Sequence, residues 1–272
     1  MLQKIRTFLH YAFDSSVSKM FLVRYALGQL LAYSGIGQFI SFHTPYYALY
    51  LTRSPVAMVL FGNPVMVRDE EETMETLVHT GDCVIDIGAN IGTFSLHAAS
   101  LVGTTGRVYA FEAHPTTVSF LRRNIKLNNA RSVTIVPHAL GDSSGEVSFS
   151  TETYDDVNHV VSKGGIRVPM KRLDDVSTLT EIARIRCIKI DVEGYELLVV
   201  RGGEQTLAKT DYIIFEAYEP NCQRFGYTLD ELFAWFDTRG FMLLDAHTRT
   251  PIDFKTTGRQ SVQNVLAQAR SI

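Results

Sequence analysis

Three acids in this chain sit in or at the end of short apolar runs, where carboxylates can meet a ligand. Asp86 lies inside Val84-Ile-Asp-Ile87, Glu112 closes Arg107-Val-Tyr-Ala-Phe-Glu112, and Asp191 closes Ile188-Lys-Ile-Asp191. Such a carboxylate can accept hydrogen bonds from hydroxyls, take a proton or help hold a cation. The run around Asp86 continues into Gly88-Ala-Asn-Ile-Gly92 and then Thr93-Phe-Ser-Leu-His-Ala-Ala99. That pattern predicts a buried strand, a glycine turn and a helix, the unit that opens a doubly wound α/β sheet with its ligand at the carboxyl ends of the strands. A dinucleotide-binding turn needs glycine at 90 and 93, where this chain has Asn90 and Thr93. Asn90 keeps a side chain where a phosphate would need bare backbone, so the turn suits a nucleoside-like ligand without phosphate. S-adenosylmethionine has that chemistry. Glu112, 24 residues after Gly88, is placed to accept hydrogen bonds from both ribose hydroxyls. Asp86, Gly88, Asn90, Thr93 and Glu112 are therefore the candidate cofactor residues.

The strand ending at Asp191 supplies a different chemistry. Lys189, Asp191 and Glu193 are two residues apart, so a continued strand projects all three to one side. A lysine inside a sheet covered on both faces must be paired, and Asp191, Asp86 and Glu216, at the end of Tyr212-Ile-Ile-Phe-Glu216, are its candidate partners. If the ligand is S-adenosylmethionine, methyl transfer requires alignment of the acceptor and, for a hydroxyl acceptor, removal of one proton as well. Asp191 or Glu193 is placed to take it, with Lys189 lowering the base's pKa. A divalent metal on Asp191, Glu193 and Glu216 is chemically compatible, but nothing in the spacing requires one and none is expected. The competing reading is an ion-pair cluster that only organises the floor of the site.

The elements that must position these residues follow from the apolar pattern. A helix with acids in its first turn is expected over 69–78, then strand 84–87, helix 93–101, strand 107–111, helix 116–128 and strand 133–137. Two extra strands, 147–150 and 166–169, flank a polar loop at 151–165 that holds His159. Alternation resumes with strand 187–191, a helix from Tyr195, strand 212–217, helix 228–238, strand 241–246 and a last strand near 264–267. Repeated β-α units predict an α/β fold with a mostly parallel sheet covered on both faces.

Residues 1–65 read as a separate helical extension or cap, with 66–272 as the main domain. From Tyr25 to Thr52 the chain has no Asp, Glu, Lys or Arg, but glycines, Pro45 and scattered amides interrupt it. Buried helices packed on the main domain are expected, with membrane association at an interface as the alternative. The apolar stretch Phe8–Phe13 is too short and polar for a signal peptide. A net charge of −3 gives no whole-molecule field to attract nucleic acid or an acidic membrane. Three cysteines, Cys83, Cys187 and Cys222, form no disulfide framework, which fits a cytoplasmic setting, peripheral at a membrane in the alternative reading.

Four segments, Asp86-Ile-Gly-Ala-Asn-Ile-Gly92, Tyr109-Ala-Phe-Glu-Ala-His-Pro115, Ala139-Leu-Gly-Asp142 and Ile188-Lys-Ile-Asp-Val-Glu-Gly-Tyr-Glu196, occur in the order of a known family. In these the chain resembles the FkbM-type S-adenosylmethionine-dependent methyltransferases over roughly residues 65–270. The resemblance implies a class I methyltransferase (Rossmann-like) fold and methylation of a hydroxyl on a small molecule, a sugar or secondary metabolite. It also implies that Asp142 lies beside the adenine, although a Gly-Asp pair is favoured in turns anyway. Two other functions compete: a nicotinamide-dependent oxidoreductase, disfavoured by residues 90 and 93, and a non-catalytic S-adenosylmethionine-binding or membrane-associated protein on the same fold.

Overall fold

Short apolar runs alternate with helix-forming segments from Val67 onward, and this alternation builds a central sheet with helices on both faces. The computed structural model describes residues 18–151, 159–161, 163–252 and 263–270, so most of the polar loop at 151–165 and the stretch Phe8–Phe13 lie outside the described residues. The described residues form two units, one ending at Met66 and one beginning at Val67.

In the first unit, α1 (Ser18–Tyr33) packs on α2 (Pro55–Gly62). Gly28 and Gly62 permit the contact: an added Cβ would come within 2.9 Å of Phe61 and 2.8 Å of Phe21, respectively. Pro55 opens α2, where its missing N–H leaves nothing unpaired. Between the helices lies a hairpin of β1 (Ser41–His43) and β2 (Ala48–Tyr50), its turn held by Tyr47 N–H on Thr44 Oγ1 at 3.1 Å. The sequence pattern does not anticipate this hairpin, because three-residue strands carry too few alternations to register. Among the described residues no helix is long and apolar enough to cross a membrane.

The second unit begins with α3 (Asp69–Glu75), β3 (Cys83–Ile87), α4 (Thr93–Val102), β4 (Arg107–Phe111), α5 (Pro115–Leu127) and β5 (Val133–Val136). A side sheet follows, with β6 (Ala139–Leu140), β7 (Gly145–Phe149) and β8 (Ile166–Lys171). β8 lies between the other two and pairs with β7 antiparallel, Val147 opposite Val168. The chain then runs through α6 (Ser177–Thr180), β9 (Ile185–Ile190), α7 (Glu196–Arg201), α8 (Glu204–Leu207), β10 (Thr210–Ala217), α9 (Glu219–Arg224), α10 (Leu229–Thr238), β11 (Phe241–Asp245) and β12 (Gln263–Ala269).

The main sheet has the order β11-β12-β10-β9-β3-β4-β5. The pairs from β10 through β5 are parallel, and β12 is inserted antiparallel between β10 and β11. The strand order reverses at β3, whose neighbours are β4 and β9, so their carboxyl ends surround the crevice where such folds bind ligands.

Alternation along the strands divides the core in two. Ile85, Ile87, Ile188, Ile190 and Phe215 face one side, and Val84, Cys187 and Ile214 the other. Burial pushes the Cys187 thiol up to about 12, so it serves as a small hydrophobe. On the larger side α10, capped by Thr228 and Glu231, presents Phe236. Phe236 is fully buried, stacked on Phe215 at 4.7 Å and edge-on to Phe241 at 5.7 Å. Replacing Phe236 by alanine should lower stability by about 3–5 kcal/mol through lost burial and an unfilled cavity. Urea unfolding should show a lower midpoint at unchanged slope, and a midpoint equal to the parent's would mean that the aromatic cluster contributes nothing.

Candidate functional site

The turn after β3 is built from backbone conformations that few residue types adopt. Gly88, Asn90 and Gly92 have φ of 82°, 50° and 96°. A Cβ on Gly88 would lie 1.9 Å from the Asp191 carbonyl oxygen, so glycine is required where β3 passes the end of β9. The crowding atom is the backbone carbonyl of Asp191, so the requirement comes from the protein's own chain. Asparagine is among the non-glycine residues that tolerate the left-handed region. The Asn90 N–H donates to Glu112 Oε2 at 3.0 Å, while its Oδ1 is buried without a hydrogen-bond partner.

Glu112, at the end of β4, is almost fully buried. Its Oε1 accepts the His114 N–H at 2.8 Å, so two backbone donors fix the carboxylate between the loops that follow β3 and β4. Each carboxylate oxygen can accept more than one hydrogen bond, which leaves Glu112 compatible with ligand hydroxyls. Thr93 opens α4, and its Oγ1 accepts from Arg68 Nη2 at 2.6 Å. Asp142 is exposed just after β6, and its charge, after burial, helps raise the pKa of the Tyr195 phenol.

The acid end centres on Lys189, which lies opposite Asp86 in the β3–β9 register. Its Nζ is 2.9 Å from Asp191 Oδ2 and 5.7 Å from the centre of the Phe94 ring. Burial opposes the Lys189 charge, but Asp191 and Asp86 outweigh it and hold the ammonium above its usual range. Asp86 is completely buried. Ser95 Oγ donates to its Oδ2 at 2.5 Å, and Oδ1 has no hydrogen-bond partner. Burial pushes the Asp86 carboxyl up, with Lys189 pulling the other way. Asp191 differs from both, with 37% of its side chain exposed. Asp86, Lys189 and Asp191 are thus together as expected.

Glu193 is not where the alternation puts it. Regular strand ends at Ile190, Glu193 takes φ 55°, and its Oε2 accepts from Asn221 Nδ2 at 3.2 Å. The period of two therefore stops before Glu193, which is turned toward α9. Glu216 is half-buried near the end of β10, one residue beyond the Phe215–Ile190 pair. Among the described residues no group of three or more His, Cys, Asp or Glu is placed to hold a metal ion.

Two further groups carry no local sequence signal that reveals their role. Glu196 Oε1 accepts the N–H groups of Val192 and Gly194 at 3.2 and 3.1 Å, and its Oε2 lies 3.2 Å from Tyr227 Oη. The Tyr227 hydroxyl is shared between the Gly194 carbonyl, at 2.8 Å, and this carboxyl oxygen. Burial pushes Glu196 up to about 7. At the start of α3, Glu71 pairs with Arg68 at 3.0 Å and lies beside His97. Burial alone would raise Glu71, but Arg68 and His97 hold it down at about 2. The acidic helix start is legible in the sequence, but its partner His97 is not.

Sheet order, antiparallel β12, and acids at the ends of β3, β4 and β9 around a glycine turn define a class I methyltransferase fold. Residues 86–243 match the family model described as Methyltransferase FkbM domain, and the chain belongs to that family. It is 28% identical over 159 residues to the hexuronic acid methyltransferase AglP of Haloferax volcanii, covering 56% of this chain and 64% of that protein. It is 27% identical over 154 residues to the 2-O-methyltransferase NoeI of Sinorhizobium fredii, covering 49% of this chain and 62% of that one. The chain thus spans less than two thirds of the length of either relative. Methyltransferase FkbM from Methylobacillus flagellatus superposes with a TM-score of 0.46 at 14% identity, over 78% of this chain and 53% of that structure.

The Glu196 environment generates a pH dependence. Its folded pKa of about 7 lies above the ordinary 4.5, so folding favours the protonated acid. The stabilisation is complete below pH 4.5 and is lost as pH rises to about 7, a difference of roughly 3 kcal/mol. Glu196→Gln keeps the acceptor oxygen for Val192 and Gly194 and gives Tyr227 a permanent donor. Urea unfolding across this window should show a flatter profile for the variant and greater stability than the parent above pH 7. Parallel profiles for the two proteins would show that Glu196 does not titrate in this window.

Proposed function

We propose that this protein transfers the methyl group of S-adenosylmethionine to a hydroxyl oxygen of a small molecule, a sugar or secondary metabolite, with Asp191 accepting the hydroxyl proton. The observation that carries the reading is a partly open carboxylate at the end of β9, fixed by a buried ammonium and backed against the Gly88 turn. Family membership supports the reaction type. The hydroxyl acceptor is supported by the names of two relatives, a hexuronic acid methyltransferase and a 2-O-methyltransferase.

The residues present fit the cofactor. Gly88 provides a turn free of side-chain bulk, and Asn90 Oδ1 and Asp86 Oδ1 are buried acceptors without a hydrogen-bond partner, the kind of group a polar ligand satisfies. Glu112 would receive the ribose hydroxyls. Gly88, Asn90 and Thr93, with Asp86 behind them, would line the amino-acid end, and Asp142 would lie beside the adenine. When bound, S-adenosylmethionine supplies a methyl group made electrophilic by a positively charged sulfur.

Lys189 keeps a positive charge 2.9 Å from Asp191, which favours the ionised carboxylate a proton acceptor needs. The same contact orients Asp191 toward the end of β9. Glu193 and Glu216, near the ends of the two neighbouring strands, would line the acceptor side.

Asp191→Asn keeps shape but cannot take a proton. It should retain cofactor binding and lose about 10²–10⁴ in turnover, read as S-adenosylhomocysteine release with hydroxylated acceptors such as uronic acid glycosides. Full turnover by the folded variant would remove Asp191 from proton transfer. A large fall in melting temperature with normal activity per folded molecule would assign the cluster to structure alone. Glu112→Ala should weaken S-adenosylhomocysteine binding by about 1–3 kcal/mol in calorimetry, and unchanged affinity would exclude Glu112 from the cofactor site.

A further inference from the structure

Charge is distributed very unevenly along this chain. Residues 1–66 contain five of the 26 Lys and Arg but one of the 29 Asp and Glu, a balance of +4, which leaves −7 for the remainder. No carboxylate occurs between Asp14 and Asp69. An overall net charge of −3 conceals this asymmetry.

Helix α1 in this basic unit is apolar on both sides. At about 100° per residue, Phe21, Tyr25, Gly28 and Ala32 form one stripe. Phe21, Gly28 and Ala32 are buried and Tyr25 is partly so. The opposite arc carries Met20 at 72% exposure, Val23 at 69%, Leu27 at 45% and Leu30 at 69%. Beyond the helix Ile36 and Phe39 extend it, at 56% and 77%. An exposed run of large apolar side chains on this scale marks a surface made to be covered.

Two arginines lie beside this surface. Arg24 lies between the buried and exposed arcs, with its guanidinium 5.5 Å from the centre of the Phe61 ring. Arg53 stacks over Tyr33 at 5.6 Å and donates to the Tyr33 carbonyl at 3.3 Å, which places a cation at the carboxyl end of α1. Tyr33 and Tyr46 are both exposed. Apolar side chains flanked by arginine and tyrosine, with no acid in the segment, match the layering of a bilayer surface: acyl chains, then the interfacial zone, then anionic headgroups.

We infer that α1 and the Ile36–Phe39 turn form a peripheral membrane-docking surface, and that its partner is an anionic lipid bilayer into whose interface Val23, Leu27, Leu30 and Phe39 insert. The positive balance of residues 1–66 selects anionic headgroups, and the apolar arc supplies the residence. The inserted depth is that of side chains on a helix lying in the interface, since no described helix is long and apolar enough to span. This inference is independent of the methyl-transfer reading, because it rests on residues outside the catalytic unit.

Flotation of the full chain with phosphatidylcholine vesicles, with and without about one third phosphatidylglycerol, tests it. The protein should float with the anionic vesicles, far less with neutral ones, and be released as salt rises from about 0.1 M to about 0.5 M. The triple variant Val23→Glu, Leu27→Glu, Leu30→Glu should lose at least about tenfold in vesicle affinity while still binding S-adenosylhomocysteine in calorimetry. Because these side chains are exposed, the substitutions leave the fold intact. Absence of flotation with anionic vesicles, equal flotation with neutral ones, or a variant that floats like the parent would each overturn the inference. Retention through both high salt and alkaline carbonate would overturn the peripheral mode. A parent that sediments as a dimer, with a monomeric variant and no vesicle binding by either, would reassign the surface to self-association.

Discussion

A buried ammonium organises the carboxyl edge of this sheet. Lys189 has no solvent to stabilise it, so the sheet must place carboxylates around it, and the β3–β9 register does so by setting Asp86 directly opposite. A slip of one residue would turn Lys189 toward the larger apolar core formed by Ile188 and Ile190, which makes the charge pair a constraint on register as well as on the site. Ser95 ties Asp86 to the first turn of α4, and Asp191 carries the same charge network out to where solvent begins. One cation therefore links two strands, a helix and the candidate proton acceptor.

The backbone enforces a second constraint. Gly88 meets the Asp191 carbonyl, and Gly194 meets the Asn221 carbonyl, where an added Cβ would lie only 2.4 Å away. Both glycines have positive φ, so the two loops flanking the crevice are pressed against neighbours that leave no room for a side chain. Glu112 then fastens the loops after β3 and β4 through two backbone N–H groups. Such loops are pre-organised: little ordering remains to be done when a ligand arrives, so more of the contact energy is available for binding. Asn90 Oδ1 and Asp86 Oδ1 are buried acceptors without a hydrogen-bond partner in this region, where His114 Nδ1 is likewise buried without one.

How much of this was legible in the sequence follows from the range of each interaction. Strands β3 and β4, helix α4 and the Gly88 turn are written in consecutive residues, and their observed limits agree with the apolar pattern to within a residue. The proximity of Asp86, Lys189 and Asp191 follows from strand ends meeting at the point where the strand order reverses. Glu193 defeated the pattern because strand periodicity holds only while the strand lasts, and a residue with φ 55° no longer obeys it. Glu196 stood inside a recognised motif, but its partner Tyr227 is 31 residues away, so its neutral state could not be read. The hairpin in residues 41–50 and the exposed arc of α1 escaped for a related reason. An all-apolar helix does not say which side is covered.

These ranges also explain why the two halves of the candidate site differ in what they specify. The cofactor side is made of local segments, a turn and a strand end, each with few sequence solutions. The candidate acceptor side brings the 191–194 turn against α9, through contacts such as Asn221 to Glu193 that span 28 residues. At the 191–194 turn Glu196 holds Val192 and Gly194 by their N–H groups, whereas Asp191 faces an ammonium. Two carboxylates five residues apart are thus set in opposite surroundings: burial raises the pKa of Glu196, which braces the loop, whereas Asp191 is partly exposed beside a counter-ion.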